Sequence, residues 1–410
     1  MRIILVSPYA FGKEPGGVKE FILGLKSQLV RKGHNVWVVA PGSKDAQKNG
    51  LVDFVLGRPF GLSTDQTKLT GSFSRKKTAR EILEKVKPDI IVIHEPLVPT
   101  IGHTIISTVL KREVKSRPVI VGQFHARRDG LGFRIKAIEF IGKHIIRRPQ
   151  LRRGFAFSPG YISTIMNGLD ARIAVSQAVK EFWQKKYQGD YKVIYNGIDT
   201  QELRVEGKRV EGWNGQGGKT ILFAGRHDER KGIDDLINAF NLLVHSANQD
   251  LPRFNRGLRL KITGEGEMTG KLKELVKELG LETLVEFVGV LSRAELIKTY
   301  RTSDLLVAPS IDGEGFNRTI AEARACGTLV VCTDIEGQRE AIGKELSVFM
   351  AIPQNPQNLA KQIKAVLDLP ESKKQEIRKL GREEVKSRFD WETIAQEHIN
   401  FYKSLLDKHS

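Results

Sequence analysis

Cysteine is almost missing from this 410-residue chain. Cys326 and Cys332 are the only two, and their spacing is that of neither a metal knuckle nor a redox pair. A disulfide framework is excluded and a reducing compartment is expected. No apolar run approaches the roughly 18 residues that cross a bilayer, and the opening stretch Met1–Val6 is too short for a signal-peptide core. The chain is therefore expected to stay where it is made. Acidic residues are also short: 48 Asp and Glu against 66 Lys and Arg leave a net charge of +18. Such an excess favours anionic partners, whether nucleic acid, an acidic membrane face or phosphorylated small molecules. It is unevenly placed. Between Lys111 and Arg153 thirteen Lys and Arg stand against three Asp and Glu, which puts +10 in about a tenth of the chain.

What is present is an ordinary globular composition, 40% hydrophobic and 28% charged. The length exceeds what one core organises and predicts two domains of roughly 200 residues. Short Val- and Ile-rich runs at Arg2–Ser7, Asn35–Ala40, Leu51–Leu56, Asp89–His94, Pro118–Gln123, Ala171–Ser176 and Lys192–Tyr195 alternate with amphipathic stretches. Continuous apolar runs suit parallel strands buried on both faces. The pattern pauses and restarts at Thr220–Ala224, Arg259–Thr263, Val285–Val288, Asp304–Pro309, Thr328–Thr333 and Leu346–Ala351. The expectation is an α/β chain of two tandem Rossmann-like, doubly wound parallel-sheet domains facing across a cleft. They are placed at 1–196 and 219–388, with a linker at 197–218 and a closing helix at 389–410 that packs back towards the first domain.

In such sheets ligands sit beyond the carboxyl ends of the strands, so the loops there carry the chemistry. After the first strand, Gly16-Gly17-Val18 opens a helix, where paired glycines let phosphate or sugar reach backbone N–H groups. The pattern is not GxGxxG, which lowers the odds of a nicotinamide or flavin enzyme. At the head of the second domain, Arg226 and Lys231 lie five positions apart between a strand and a helix and suit a diphosphate clamp. Gly264 marks a close-approach loop. The strongest signal is Asp312-Gly313-Glu314-Gly315-Phe316-Asn317-Arg318-Thr319-Ile320-Ala321-Glu322. One carboxylate stands in a loop and the second two turns into the next helix, with the helix N-terminus between them. That layout suits a polyhydroxylated ligand carrying phosphate, such as a nucleotide sugar.

Together the Glu314-x7-Glu322 element, the Gly225-Arg226-x4-Lys231-Gly232 loop, Gly16-Gly17-Val18, Tyr195-Asn196-Gly197-Ile198-Asp199 and Ala174-Val175-Ser176 resemble the retaining glycosyltransferases of family four, over nearly the whole chain. The resemblance implies the two-domain GT-B fold. The first domain is most similar to the phosphatidylinositol mannosyltransferases, through Pro8-Tyr9, His94-Glu95-Pro96, Phe124-His125 and Arg75-Lys76-Lys77. It departs from them at Gly12-Lys13, where those enzymes carry an Asp, and at Phe60–Gln66, where they hold inositol phosphate. By this resemblance Arg226 and Lys231 neutralise the leaving nucleoside diphosphate in place of a metal. Glu314 binds sugar hydroxyls, Glu322 binds the ribose, and Gly16 and Gly17 close on the phosphate. Gly264, Phe316, Asn317 and Arg318 complete the donor contacts, and His125 stands near the reacting sugar carbon. No metal or other cofactor is expected.

Leu131, Ile135, Ile138, Ile141 and Ile145 recur at helical spacing, with Arg134, Lys136, Lys143, Arg147 and Arg148 around them. This is the pattern of a basic interfacial helix, and Arg75, Lys76 and Lys77 add to it. Without a helix-turn-helix or an aromatic-interleaved basic motif, nucleic acid is not expected as a partner. The expected function is transfer of a hexose, mannose from GDP-mannose, to a lipid acceptor by a cytoplasmic protein held peripherally on the inner membrane face. A soluble acceptor, or an epimerase or binder of the same fold, is the alternative.

Overall fold

The computed structural model describes residues 1–11, 16–42, 47, 49–64, 67–73, 75–98, 100–111, 117–127, 159–204, 218–245 and 257–409. They form two compact units, Met1–Gly197 with Trp391–Ser410, and Ile198–Asp390.

The first unit is built on a sheet of β1 (Arg2–Val6), β2 (Asn35–Ala40), β3 (Phe54–Val55), β6 (Ile90–His94), β7 (Val119–Phe124), β8 (Ala171–Ala174) and β9 (Lys192–Val193). Its order is β3-β2-β1-β6-β7-β8-β9, parallel throughout. Strands such as Ile90–Ile93 and Val119–Val121 are buried on both faces, as their unbroken apolar runs require. Helix Gly17–Arg31 lays Phe21, Ile22, Leu25 and Leu29 on the sheet. The closing helix Trp391–His409 belongs to this unit and buries Trp391, Ile394, His398, Ile399 and Tyr402. Gly24 and Gly197 lie against the Trp391 ring so closely that an added Cβ would come within 2.3 and 2.1 Å of it. Removing that ring should cost about 3–5 kcal/mol.

An antiparallel hairpin, β4 (Arg58–Thr64) with β5 (Thr67–Phe73), stands apart from the sheet. The sequence pattern does not announce it, because polar residues and glycine interrupt any apolar alternation. It contains most of the Phe60–Gln66 stretch compared above with the inositol-binding segment.

The second unit holds a parallel sheet of β10 (Thr220–Ala224), β11 (Arg259–Thr263), β12 (Val285–Gly289), β13 (Leu305–Ala308) and β14 (Leu329–Cys332), ordered β12-β11-β10-β13-β14. The order reverses between β10 and β13, so the carboxyl ends of these two strands flank the crevice where ligands bind in such sheets. Leu346–Ala351, expected as a sixth strand, is a short 3-10 turn followed by a single bridge from Ala351 to Thr333. Its ends, Leu346 and Ala351, are buried, but Val348 between them is 72% exposed. Residues 198–204, assigned to a linker from sequence, lie in the second unit. There the Ile198 N–H donates to the Phe389 carbonyl at 2.7 Å and Leu203 is buried.

Candidate functional site

At the end of β10 the chain runs through Arg226, His227 and Asp228 into the 3-10 turn Glu229–Lys231. Gly232 ends that turn in the left-handed region, φ 59°, where an added Cβ would lie 2.3 Å from the Pro309 carbonyl oxygen. The turn is thereby pressed onto the loop after β13, and the Ile311 N–H donates to the Arg230 carbonyl at 2.7 Å. This contact brings Lys231 to Glu314, where ammonium and carboxylate form a direct ion pair. The Ser310 hydroxyl donates to the same carboxylate oxygen at 3.2 Å. Burial alone would raise the Glu314 carboxyl. Lys231, Arg230 and Ser310 outweigh it and hold the group below its ordinary value, charged at neutral pH. Arg226 stands 3.5 Å from Asp228 with its side chain 59% exposed, so it presents its guanidinium outward.

Beyond Glu314, Phe316 packs edge-on against Phe389 at 5.1 Å, and the Asn317 N–H donates to the Gly337 carbonyl at 3.3 Å. Helix Arg318–Ala325 begins there without a side-chain cap, leaving its first-turn N–H groups unpaired by Asn317. Arg324, wholly buried, donates to the Ala341 carbonyl at 2.9 Å and pairs with Glu384 on helix Glu371–Phe389, which fixes this helix in place. Four residues earlier than Cys326, Glu322 is buried among cations. Arg293 Nη1 lies 3.0 Å and Arg318 Nη2 3.5 Å from its oxygens, and the Tyr300 hydroxyl donates at 3.5 Å. Arg293 also reaches Glu202 at 2.9 Å.

In the first unit, Gly16 precedes helix Gly17–Arg31 in extended backbone, and an added Cβ on Gly17 would meet nothing within 4 Å. His125 follows β7. Its ring Nε2 lies 2.9 Å from Nδ1 of His94, and its backbone N–H donates to Glu95 Oε1 at 2.7 Å. Phe21 meets its ring edge-on at 4.9 Å. Burial pushes the Glu95 carboxyl up to about 7, against the N–H groups of His125 and Ala126 that favour its charged form.

The structure thus joins Lys231 to Glu314 and Arg318 to Glu322, and sets Arg226 against Asp228. Gly264, expected as a ligand-approach position, has an internal reason. Its φ is 99°, and a Cβ there would fall 1.9 Å from the Gly225 carbonyl oxygen. Sequence reasoning missed Arg293, although Ser292 and Glu295 form a capping box that starts its helix. It also missed the His94–His125 contact, which only the β6–β7 pairing creates. Arg75, Lys76 and Lys77 are exposed at the start of helix Lys76–Val86, whose opposite face buries Ala79, Ile82, Leu83 and Val86. Arg134, Lys136, Lys143, Arg147 and Arg148 lie outside the described residues. Among the described residues no helix is long and apolar enough to cross a membrane.

Residues 15–202 match the model of Glycosyltransferase Family 4, and residues 208–384 that of Glycosyl transferases group 1. Phosphatidyl-myo-inositol mannosyltransferase of Mycobacterium tuberculosis is 27% identical over 99% of this chain and 97% of its own. The protein of that name from Propionibacterium freudenreichii subsp. shermanii is 28% identical over 82% and 77%. Among solved structures, a glycosyltransferase from Rickettsia africae superposes with a TM-score of 0.69 at 20% identity, covering 98% of each chain. Anabaena HepE in complex with UDP does so at 0.69 and 19%, covering 98% of this chain and all of its own. Two parallel-sheet units, each matched by its own glycosyltransferase model, and a fold shared with these proteins lead to one assignment: the chain is a glycosyltransferase of the GT-B fold, matched by Glycosyltransferase Family 4 in its first half and by Glycosyl transferases group 1 in its second.

Proposed function

We propose that this enzyme transfers mannose from GDP-mannose to a membrane lipid, phosphatidylinositol or another glycolipid precursor, while docked on the anionic inner face of the cell membrane. The observation that carries the donor chemistry is the Lys231–Glu314 ion pair between the loops that follow β10 and β13, with Arg226 in the first of those loops and Glu322 in the helix after the second. Mannose and the lipid acceptor rest on similarity to the mannosyltransferases along 99% of the chain.

In this reading the donor diphosphate seats against Arg226 and Lys231. As the sugar–phosphate bond breaks, negative charge builds on the departing diphosphate, and fixed cations there lower the barrier. Lys231 then divides its ammonium between phosphate and Glu314, and Glu314 turns part of its carboxylate to sugar hydroxyls. Glu322 accepts the ribose hydroxyls while keeping Arg293 and Arg318. Gly264, Phe316 and Asn317 shape the backbone beneath the donor. In the first unit, Gly16 and Gly17 leave room for phosphate at a helix start, and His125 serves the reacting sugar. No metal is required. Arg75, Lys76 and Lys77, with the basic stretch 134–148, supply membrane attraction of about 1 kcal/mol per residue.

The test mixes purified protein with labelled GDP-mannose or UDP-glucose, a lipid extract and acidic liposomes. Mannose recovered in the organic phase, and salt-sensitive sedimentation with the liposomes, are the expected results. Product confined to water, or transfer from UDP-glucose alone, overturns the acceptor or the donor respectively.

A further inference from the structure

His94 and Glu95, consecutive at the end of β6, both act on His125 at the end of β7. Glu95 takes the His125 backbone N–H at 2.7 Å from a left-handed backbone, φ 48°, that a non-glycine residue seldom adopts. Such conformations persist where the surroundings over-determine them, and they cluster at functional sites. His94 holds the ring from the side, Nδ1 to Nε2 at 2.9 Å, and Phe21 closes the edge at 4.9 Å and 71°. Main chain, ring nitrogen and ring edge of one imidazole are thus each held by a different residue.

The hydrogen bond between His94 Nδ1 and His125 Nε2 contains one proton, and the surroundings of His94 decide whose it is. His94 is wholly buried, and burial, His125 and His398 keep it neutral. Its Nε2 has no hydrogen-bond partner among the described residues. A proton on that nitrogen would bury an orphan donor, whereas its absence leaves only a lone pair unmet. Orphan buried N–H groups are the rarer of the two. His94 therefore carries its proton on Nδ1 and donates to His125.

We propose that His94, supported by Glu95, is the positioning residue that holds His125 as its Nδ1–H tautomer, so that His125 offers a hydrogen-bond donor to an oxygen of the transferred sugar. The last clause rests on the role assigned to His125 above; the tautomer does not.

Long-range proton–nitrogen correlation spectra of the ¹⁵N-histidine full-length protein test the tautomer without any turnover. The expected wild-type spectrum shows His125 protonated at Nδ1 and bare at Nε2, its signals assigned by their loss in His125→Gln. His94→Leu should shift His125 towards the Nε2–H form and lower kcat about tenfold or more, with little change in the donor KM. His94→Asn, whose amide can stand where Nδ1 stood, should restore both. An Nε2–H tautomer in the wild type overturns the proposal even if His94→Leu fails to fold. Unchanged spectrum and kcat in a folded His94→Leu overturn it too. Wild-type turnover in His125→Gln overturns the sugar contact and leaves the tautomer standing.

Discussion

The glycines at the candidate sites of the two units stand in opposite surroundings. In the second unit Gly232, Gly264 and Gly337 face their own chain, where an added Cβ would fall 2.3, 1.9 and 2.0 Å from carbonyl oxygens of Pro309, Gly225 and Glu314. The first two also have φ of 59° and 99°. These positions build the Lys231–Glu314 region before any ligand arrives. In the first unit Gly16 is extended at φ −157°, and nothing in the chain crowds Gly17. Among the described residues neither is required by packing or by backbone conformation, as the phosphate site proposed at this helix start expects. The Lys231–Glu314 region is shaped by the fold, and the helix start at Gly17 is left open by the described residues.

The largest expected effect tests the prebuilt side. Arg226→Ala should lower transfer by roughly 10²–10³ in kcat, the usual loss when one preorganised charge is removed from a developing anion. Its exposed side chain makes the melting temperature an internal control that should not move. Lys231→Ala should lose as much activity, and stability as well, because Glu314 is left without its cation in a mostly buried place. Initial rates with labelled donor, beside thermal melts, check both. Turnover should also persist in EDTA, since in the proposed mechanism these two cations take the place of a metal; strict divalent dependence would contradict it.

How much of this can be read from sequence follows from where the information sits. The Glu314-x7-Glu322 spacing and the Arg226–Lys231 loop are local, and their placement at strand ends follows from the apolar runs before them. The parallel sheets are legible for the same reason. The hairpin at 58–73 is not, because its residues have neither alternation nor a strong turn signal. Arg293 has a local sign, the Ser292–Glu295 capping box, but its meeting with Glu202 and Glu322 is tertiary. The same holds for His94, His125 and His398, which three separate elements bring around Phe21.

A smaller effect sharpens the contrast between the glycines. Gly264→Ala should destabilise by about 1–3 kcal/mol through overpacking against the Gly225 carbonyl. Gly17→Ala, in open space at a helix start, should hold the melting temperature or raise it slightly, since alanine is the better helix former. Its cost should show instead as a raised donor KM. If both variants lose stability and neither changes KM, the open space at Gly17 is not ligand space.

The smallest effect concerns two buried groups of the first unit that titrate in opposite senses. Burial lowers His398 from 6.5 to about 3. Between those values the unfolded chain binds a proton that the folded chain refuses, so stability is lost as pH falls through that window, by at most about 1.4 kcal/mol per unit. His94, lowered in the same direction, adds the same sign. Glu95 is raised from 4.5 to about 7. There the folded chain binds the extra proton, and stability is lost as pH rises through 4.5 to 7. The two slopes oppose each other in the wild type and separate on substitution. In urea unfolding followed from pH 5 to 7, Glu95→Gln should gain on the wild type as pH rises, while His398→Gln should lose ground to it up to about 6.5. Parallel curves for all three proteins would mean that neither group is buried as the contacts of Phe21, Tyr402 and the His125 N–H place it, and the first unit would then lack the enclosed imidazole cluster that sets it apart from the second.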